Sequence, residues 1–123
     1  MIQKLISRDA RILVAGSTGM VGSAICRKLL EKGYGKNGTL LCPSRLDLDL
    51  TNKNGLEEWF IKNKPSIVID AAAKVGGIFA NSKYPTEFLL ENLKIQNNLI
   101  ETSWKSGVKR FLFLGSSCIY PKF

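Results

Sequence analysis

A chain of 123 residues, 45% hydrophobic and 23% charged, has the composition of one globular domain at most and not that of a disordered or fibrous chain. The formal net charge of +8 comes from scattered lysines and arginines, without a basic run interleaved with aromatics, which describes a solvated surface and argues against nucleic-acid binding. There is no histidine, and the three cysteines (Cys26, Cys42, Cys118) are odd in number and far apart, which argues against a disulfide framework, any metal site and a histidine-activated nucleophile within the chain.

No apolar run approaches the roughly 20 residues needed to cross a bilayer. Met1 to Arg11 mixes Gln3, Lys4, Ser7, Arg8 and Asp9 into its apolar residues, unlike a signal peptide. Cytoplasm is therefore the expected location, with no membrane partner.

In chain order, Arg11 to Ala15 (RILVA) reads as a buried strand with a glycine after it. Met20 to Lys32 reads as a helix with Val21, Ala24, Ile25 and Leu29 on its inner face and Gly33 as the stop. Thr39 to Cys42 is a second strand, ended by Pro43. Asn54 to Asn63 is a second helix carrying Leu56, Trp59 and Phe60, and Pro65 closes that segment. Ile67 to Asp70 is a third strand. Pro85 to Ser106 is the longest helix, with proline suited to its first turn, Gly107 to its exit, and a core stripe of Phe88, Leu89, Leu93, Ile100 and Trp104. Arg110 to Leu114 is a fourth strand.

The alternation βαβαβαβ implies an α/β fold: a doubly wound parallel sheet of the Rossmann type, covered by helices on both faces. Dinucleotide folds of that kind usually have about six strands. Residues 1–123 are thus expected to be the N-terminal part of an NADP-binding domain, truncated after the fourth strand, with the substrate domain absent.

The strongest motif is Gly16-Ser17-Thr18-Gly19-Met20-Val21-Gly22, placed after the first strand and opening the first helix. In that context Gly16 permits a turn, Gly19 lets the backbone approach a pyrophosphate, and Gly22 lets the helix pack close to the sheet. The acidic residue that holds an NAD ribose about 20 positions on is missing, since no acid lies between Glu31 and Asp47. The second strand instead runs into Ser44 and Arg45, which suit the 2′-phosphate of NADP(H). Asp49 and Leu50 follow as an adenine-contacting segment or as an ordinary loop. Ala71, Ala72, Ala73 and Lys74 follow the third strand, where small residues let the backbone lie against a cofactor and Lys74 reads equally as a solvated loop lysine. The fourth strand leads into Gly115-Ser116-Ser117-Cys118-Ile119-Tyr120-Pro121. Both segments leave carboxyl strand ends, where open α/β sheets bind ligands.

The GxxGxxG spacing resembles that of the extended short-chain dehydrogenase/reductase superfamily. AAAKVGGI, NSKYPTEFLLEN and LFLGSSCIYPK together resemble the GDP-L-fucose synthase family, over about Arg11 to Lys122. That resemblance implies an NADPH-dependent enzyme, a homodimer, that epimerises and then reduces GDP-4-keto-6-deoxy-mannose. It assigns Ser116 to the serine that hydrogen-bonds the keto oxygen and Cys118 to the epimerisation base. From the residues alone, Cys118 reads as a small buried side chain. The family's YxxxK pair is absent, because Tyr34, Tyr84 and Tyr120 have no lysine four residues on in this sequence, and its catalytic histidine is absent too. The chain alone is therefore expected to be inactive. A non-catalytic NADP-binding module remains an open reading, as does a piece of another sugar-nucleotide epimerase or dehydratase.

Overall fold

In a computed structural model of the chain, which describes residues 6–72 and 83–114, seven elements alternate: β1 (Ile12–Ala15), α1 (Met20–Glu31), β2 (Leu40–Leu41), α2 (Lys53–Asn63), β3 (Ile67–Asp70), α3 (Pro85–Lys105) and β4 (Arg110–Phe113). All strand pairs are parallel and the sheet order is β2-β1-β3-β4. Ile12 faces Leu40 on one side and Ile67 on the other, and Ala15 is level with Asp70 at the carboxyl end. The chain leaves β1 in one direction to form β2, then returns past β1 to form β3. This reversal between β1 and β3 opens a crevice at their carboxyl ends.

β1 and β3 have neighbours on both edges and helices over them, so every residue of both is buried. Their side chains alternate between two cores. Leu13, Ala15 and Val68 meet Leu48, Leu56, Phe60, Ile95 and Leu99 on the α2–α3 side. Ile12, Val14, Ile67 and Ile69 meet Ile25, Cys26 and Leu29 of α1 on the other.

Two helix faces differ from the sequence expectation. α1 turns Gly22, Ile25, Cys26 and Leu29 inward, while Val21 and Ala24 are exposed. The cause is Gly22: the helix makes its closest approach through that missing side chain, which fixes its rotation. α3 buries Ile95, Leu99, Thr102 and Ser103. The expected core residues Leu89, Leu93, Ile100 and Trp104 are exposed, Trp104 by 77%. This helix carries two apolar stripes, and the one with larger side chains faces away from the sheet. α2 matches its expectation, with Leu56 and Phe60 buried and Trp59 packed at their margin.

Among the described residues β4 lies at the edge of the sheet. Phe111 is half-buried against the α2–α3 core, while Leu112 and Phe113 are each about half exposed. Among the described residues no helix is long and apolar enough to cross a membrane.

Candidate functional site

The crevice between β1 and β3 is built from backbone. β1 runs into Gly16, whose φ is +80°, a left-handed conformation that side chains other than glycine's rarely adopt. A Cβ there would lie 2.5 Å from the Ala71 carbonyl oxygen and 2.8 Å from the Ala72 Cα. The turn and the exit of β3 thus touch without intervening side chains, and the Ala71 N–H donates to the Ala15 carbonyl at 2.9 Å. A Cβ on Gly22 would overlap the Gly16 carbonyl oxygen. Gly22 therefore brings α1 onto the turn itself, not directly onto the sheet as the sequence suggested. Gly19 is different: its φ of −74° suits any residue, and a Cβ there would meet only the Gly16 carbonyl oxygen, at 3.5 Å. Among the described residues nothing else lies within 4 Å of that position.

Thr18, Gly19, Met20 and Val21 are exposed, with Ser17 half-buried. Gly19 caps α1 without a side chain, and the first turn of α1 holds no acid. First-turn N–H groups of a helix have no acceptor within it and carry the positive end of its dipole. The rim of the crevice is thus a place for an anion.

β2 is the other neighbour of β1, so Ser44 and Arg45 leave the sheet at the same end. The Ser44 hydroxyl donates to Asp47 Oδ2 at 2.9 Å, and the Ser44 N–H donates to the same oxygen at 3.2 Å. A phosphate could use the Ser44 hydroxyl only by displacing that carboxylate, whereas Arg45 is exposed. Asp49 Oδ1 accepts from the Thr51 hydroxyl at 2.6 Å and the Thr51 N–H at 2.9 Å. Those two bonds, the hydroxyl first, hold the Asp49 carboxyl below its ordinary value, and the Arg45 charge adds to the effect. Asp49 thus shapes its own turn as well as facing solvent.

Two residues that sequence reasoning missed hold this end of the sheet. Asn98 of α3 donates from Nδ2 to the Leu50 carbonyl at 2.9 Å, tying the Asp49–Leu50 segment to α3. Its signal was an amide on the half-buried flank of a helix. Asp70 ends β3 at 2% exposure, and its Oδ1 accepts from the Ala72 N–H at 3.0 Å. Its signal was an acid closing an otherwise apolar strand. Ala73, Lys74, Ser116 and Cys118 lie outside the described residues, as does the GSSCIYP segment. Among the described residues no cluster of acidic and cysteine side chains suits a metal ion.

A glycine-lined strand-to-helix turn at the reversal point of a parallel sheet defines a dinucleotide-binding class of protein. Residues 12–123 match the NAD dependent epimerase/dehydratase family, and the chain belongs to that family. It is 50% identical over 122 residues to GDP-L-fucose synthase 1 of Arabidopsis thaliana, an alignment covering 99% of this chain and 37% of the plant protein. Among solved structures, it is similar to a GDP-mannoheptose C4 reductase from Campylobacter jejuni with NADP bound, with a TM-score of 0.86 and 34% identity over 94% of this chain and 36% of that one. A GDP-L-fucose synthetase from Naegleria fowleri bound to NADP superposes with a TM-score of 0.79 and 29% identity, over 96% of this chain and 37% of that one. The chain spans about a third of the length of the relatives it matches.

Proposed function

We propose that this chain is the NADP(H)-binding portion of a GDP-L-fucose synthase, an enzyme that epimerises and reduces GDP-4-keto-6-deoxy-mannose to GDP-L-fucose. The observation that carries the reading is the bare backbone contact of Gly16 with Ala71 and Ala72 beneath an uncapped helix start. The crevice fits a pyrophosphate: Gly19 leaves room, the first-turn N–H groups have no acceptor within the helix, and no first-turn acid repels the charge. The likeness to the plant synthase and to two NADP-bound reductases of GDP-sugars supports the cofactor and the substrate class.

Gly16 to Gly22 hold the pyrophosphate, with the Met20 and Val21 backbone at the helix start. Arg45 forks onto the 2′-phosphate, and Ser44 joins it when Asp47 releases the hydroxyl. Asp49 and Leu50 line the adenine, and Ala71 to Lys74 flank the rest of the cofactor. When bound, NADPH supplies the hydride for the ketone. Ser116 hydrogen-bonds the keto oxygen, and Cys118 removes the proton beside it. The alkoxide left by reduction needs a positioned acid, and this sequence has neither a YxxxK pair nor a histidine. The isolated chain is therefore inactive, and a longer chain supplying those residues is active. Its place of action is the cytoplasm.

Titration with NADPH and NADH tests the cofactor site. The parent binds NADPH more tightly, and Arg45→Ala loses about 10- to 150-fold in NADPH affinity, the worth of a charged hydrogen bond, with little change for NADH. Gly19→Val keeps its circular dichroism spectrum, since the new side chain meets open space, and loses both cofactors. Equal affinities in the parent, or a folded Gly19→Val that still binds NADPH, would refute the assignment.

The outward stripe of α3 supports homodimer formation by the longer protein, because Leu89, Leu93, Ile100 and Trp104 recur at helical spacing on one exposed face. Trp104→Lys in that protein should shift its sedimentation from dimer to monomer. An unchanged dimer would place the interface elsewhere.

A further inference from the structure

Cys26 and Cys42, sixteen residues apart, bring their sulfurs to 3.3 Å. Cys26 lies on α1 one turn beyond Gly22, and Cys42 directly follows β2. β1 organises both elements: α1 packs on its face and β2 pairs with its edge. A disulfide holds its sulfurs at about 2.05 Å, so roughly 1.2 Å of approach closes the bond. The fold thus holds the two thiols within reach of each other, across sixteen residues of chain.

The two thiols are not equivalent. Cys42 is exposed and Cys26 is half-buried, packed against Ile12, Val14, Ile67 and Ile69. Burial pushes the Cys26 thiol up to about 12, helped by its hydrogen bond to Cys42 and by the charge Cys42 carries when ionised. The first attack on an outside reagent therefore belongs to Cys42.

We propose that Cys26 and Cys42 are a reversible disulfide modification site, opened at Cys42 and closed by Cys26, with a low-molecular-weight disulfide as oxidant. The Cys42 thiolate attacks one sulfur of the oxidant. The oxidant's sulfur–sulfur bond breaks, and one thiolate leaves and takes up a proton. Cys42 is now uncharged, so its contribution to holding the proton on Cys26 disappears. Cys26 gives its proton to water and attacks the Cys42 sulfur. The Cys26–Cys42 bond forms as the second small thiolate leaves and is protonated. Two protein thiols are oxidised and one small disulfide is reduced to two thiols. The product fastens α1 to the segment that opens into Ser44 and Arg45. The proposal does not depend on what those residues bind.

The reduced 123-residue chain is treated with glutathione disulfide, quenched by alkylation and mapped by peptide mass spectrometry. The expected product is a linked pair of peptides carrying Cys26 and Cys42, lighter by two hydrogens, with no retained glutathione and with reversal by dithiothreitol. Cys26→Ser should hold a stable glutathione adduct at Cys42, and Cys42→Ser should leave Cys26 unmodified over the same interval. In urea the preference should vanish and linkage should spread to Cys118. The proposal is overturned if the folded parent keeps glutathione on Cys42 as persistently as Cys26→Ser does. It is also overturned if the linkage pattern is the same in urea, since chain proximity and not the fold would then be the cause.

Discussion

At Asp70 a carboxyl group occupies a position that Ile67, Val68 and Ile69 lead the chain to fill with another apolar side chain. Oδ1 is satisfied by the Ala72 N–H, but Oδ2 is buried without a hydrogen-bond partner among the described residues. Burial raises the Asp70 carboxyl above its ordinary 3.8, and the Ala72 bond opposes this only in part. The folded chain therefore holds this proton more tightly than the unfolded chain does. The contribution to stability is fully present below pH 3.8 and is lost as pH rises through the raised folded value. Asp70→Asn keeps an acceptor for Ala72 and removes the buried charge. Its urea midpoint at neutral pH should exceed the parent's, with the difference closing as pH falls below 3.8. An identical midpoint at neutral pH would show that the Asp70 charge is solvated. The glycines of the turn were legible in the sequence because their pattern reports backbone constraints directly. The burial of the Asp70 carboxyl was not: the sequence puts Asp70 in the third strand, but an acid at a strand end reads as a solvated one.

Among the elements, those whose ends carry local chemistry were the most legible. The sequence placed β3 at Ile67–Asp70 and α2 within one residue of Lys53–Asn63, because proline and asparagine punctuate that stretch. Asn52 Oδ1 accepts from the Gly55 N–H at 3.1 Å and caps α2. At the other end Lys64 takes a left-handed φ of 47° while its N–H donates to the Phe60 carbonyl at 2.8 Å. Asn52→Ala should cost about 1 kcal/mol of stability by loss of the cap. Lys64→Gly should add about 1 kcal/mol by relieving the left-handed backbone. Opposite shifts in the urea midpoint at constant slope would confirm both, and a destabilised Lys64→Gly would contradict the backbone argument. Helix rotation was less legible. α1 and α3 both carry more apolar positions than one buried face needs, and periodicity alone does not say which stripe meets the sheet. Gly22 decides it for α1. For α3, Ile95 and Leu99 settle under the sheet with Thr102 and Ser103, two hydroxyls that a hydropathy pattern assigns to solvent.

Among the described residues, the two faces of the sheet are covered unequally. One core is closed by two helices and draws Leu48, Leu56, Phe60, Ile95 and Leu99 onto the strands. The other is closed by α1, a helix of 12 residues in which only Gly22 is buried. The doubly wound parallel class of the sheet and the ligand segments at its carboxyl ends were legible from the alternation of elements; this imbalance was not, because it depends on how each helix is rotated. Local opening free energies follow buried contact, so α1 should be the first helix to exchange its amide hydrogens, well before the inner turns of α2 and α3. The glycine turn depends on α1 being closed, since Gly22 rests on Gly16. An anion bound at that helix start would stabilise the closed form alone and should slow α1 exchange selectively. The least protected helix would then also report occupancy of the crevice, without any change in the position of the sheet.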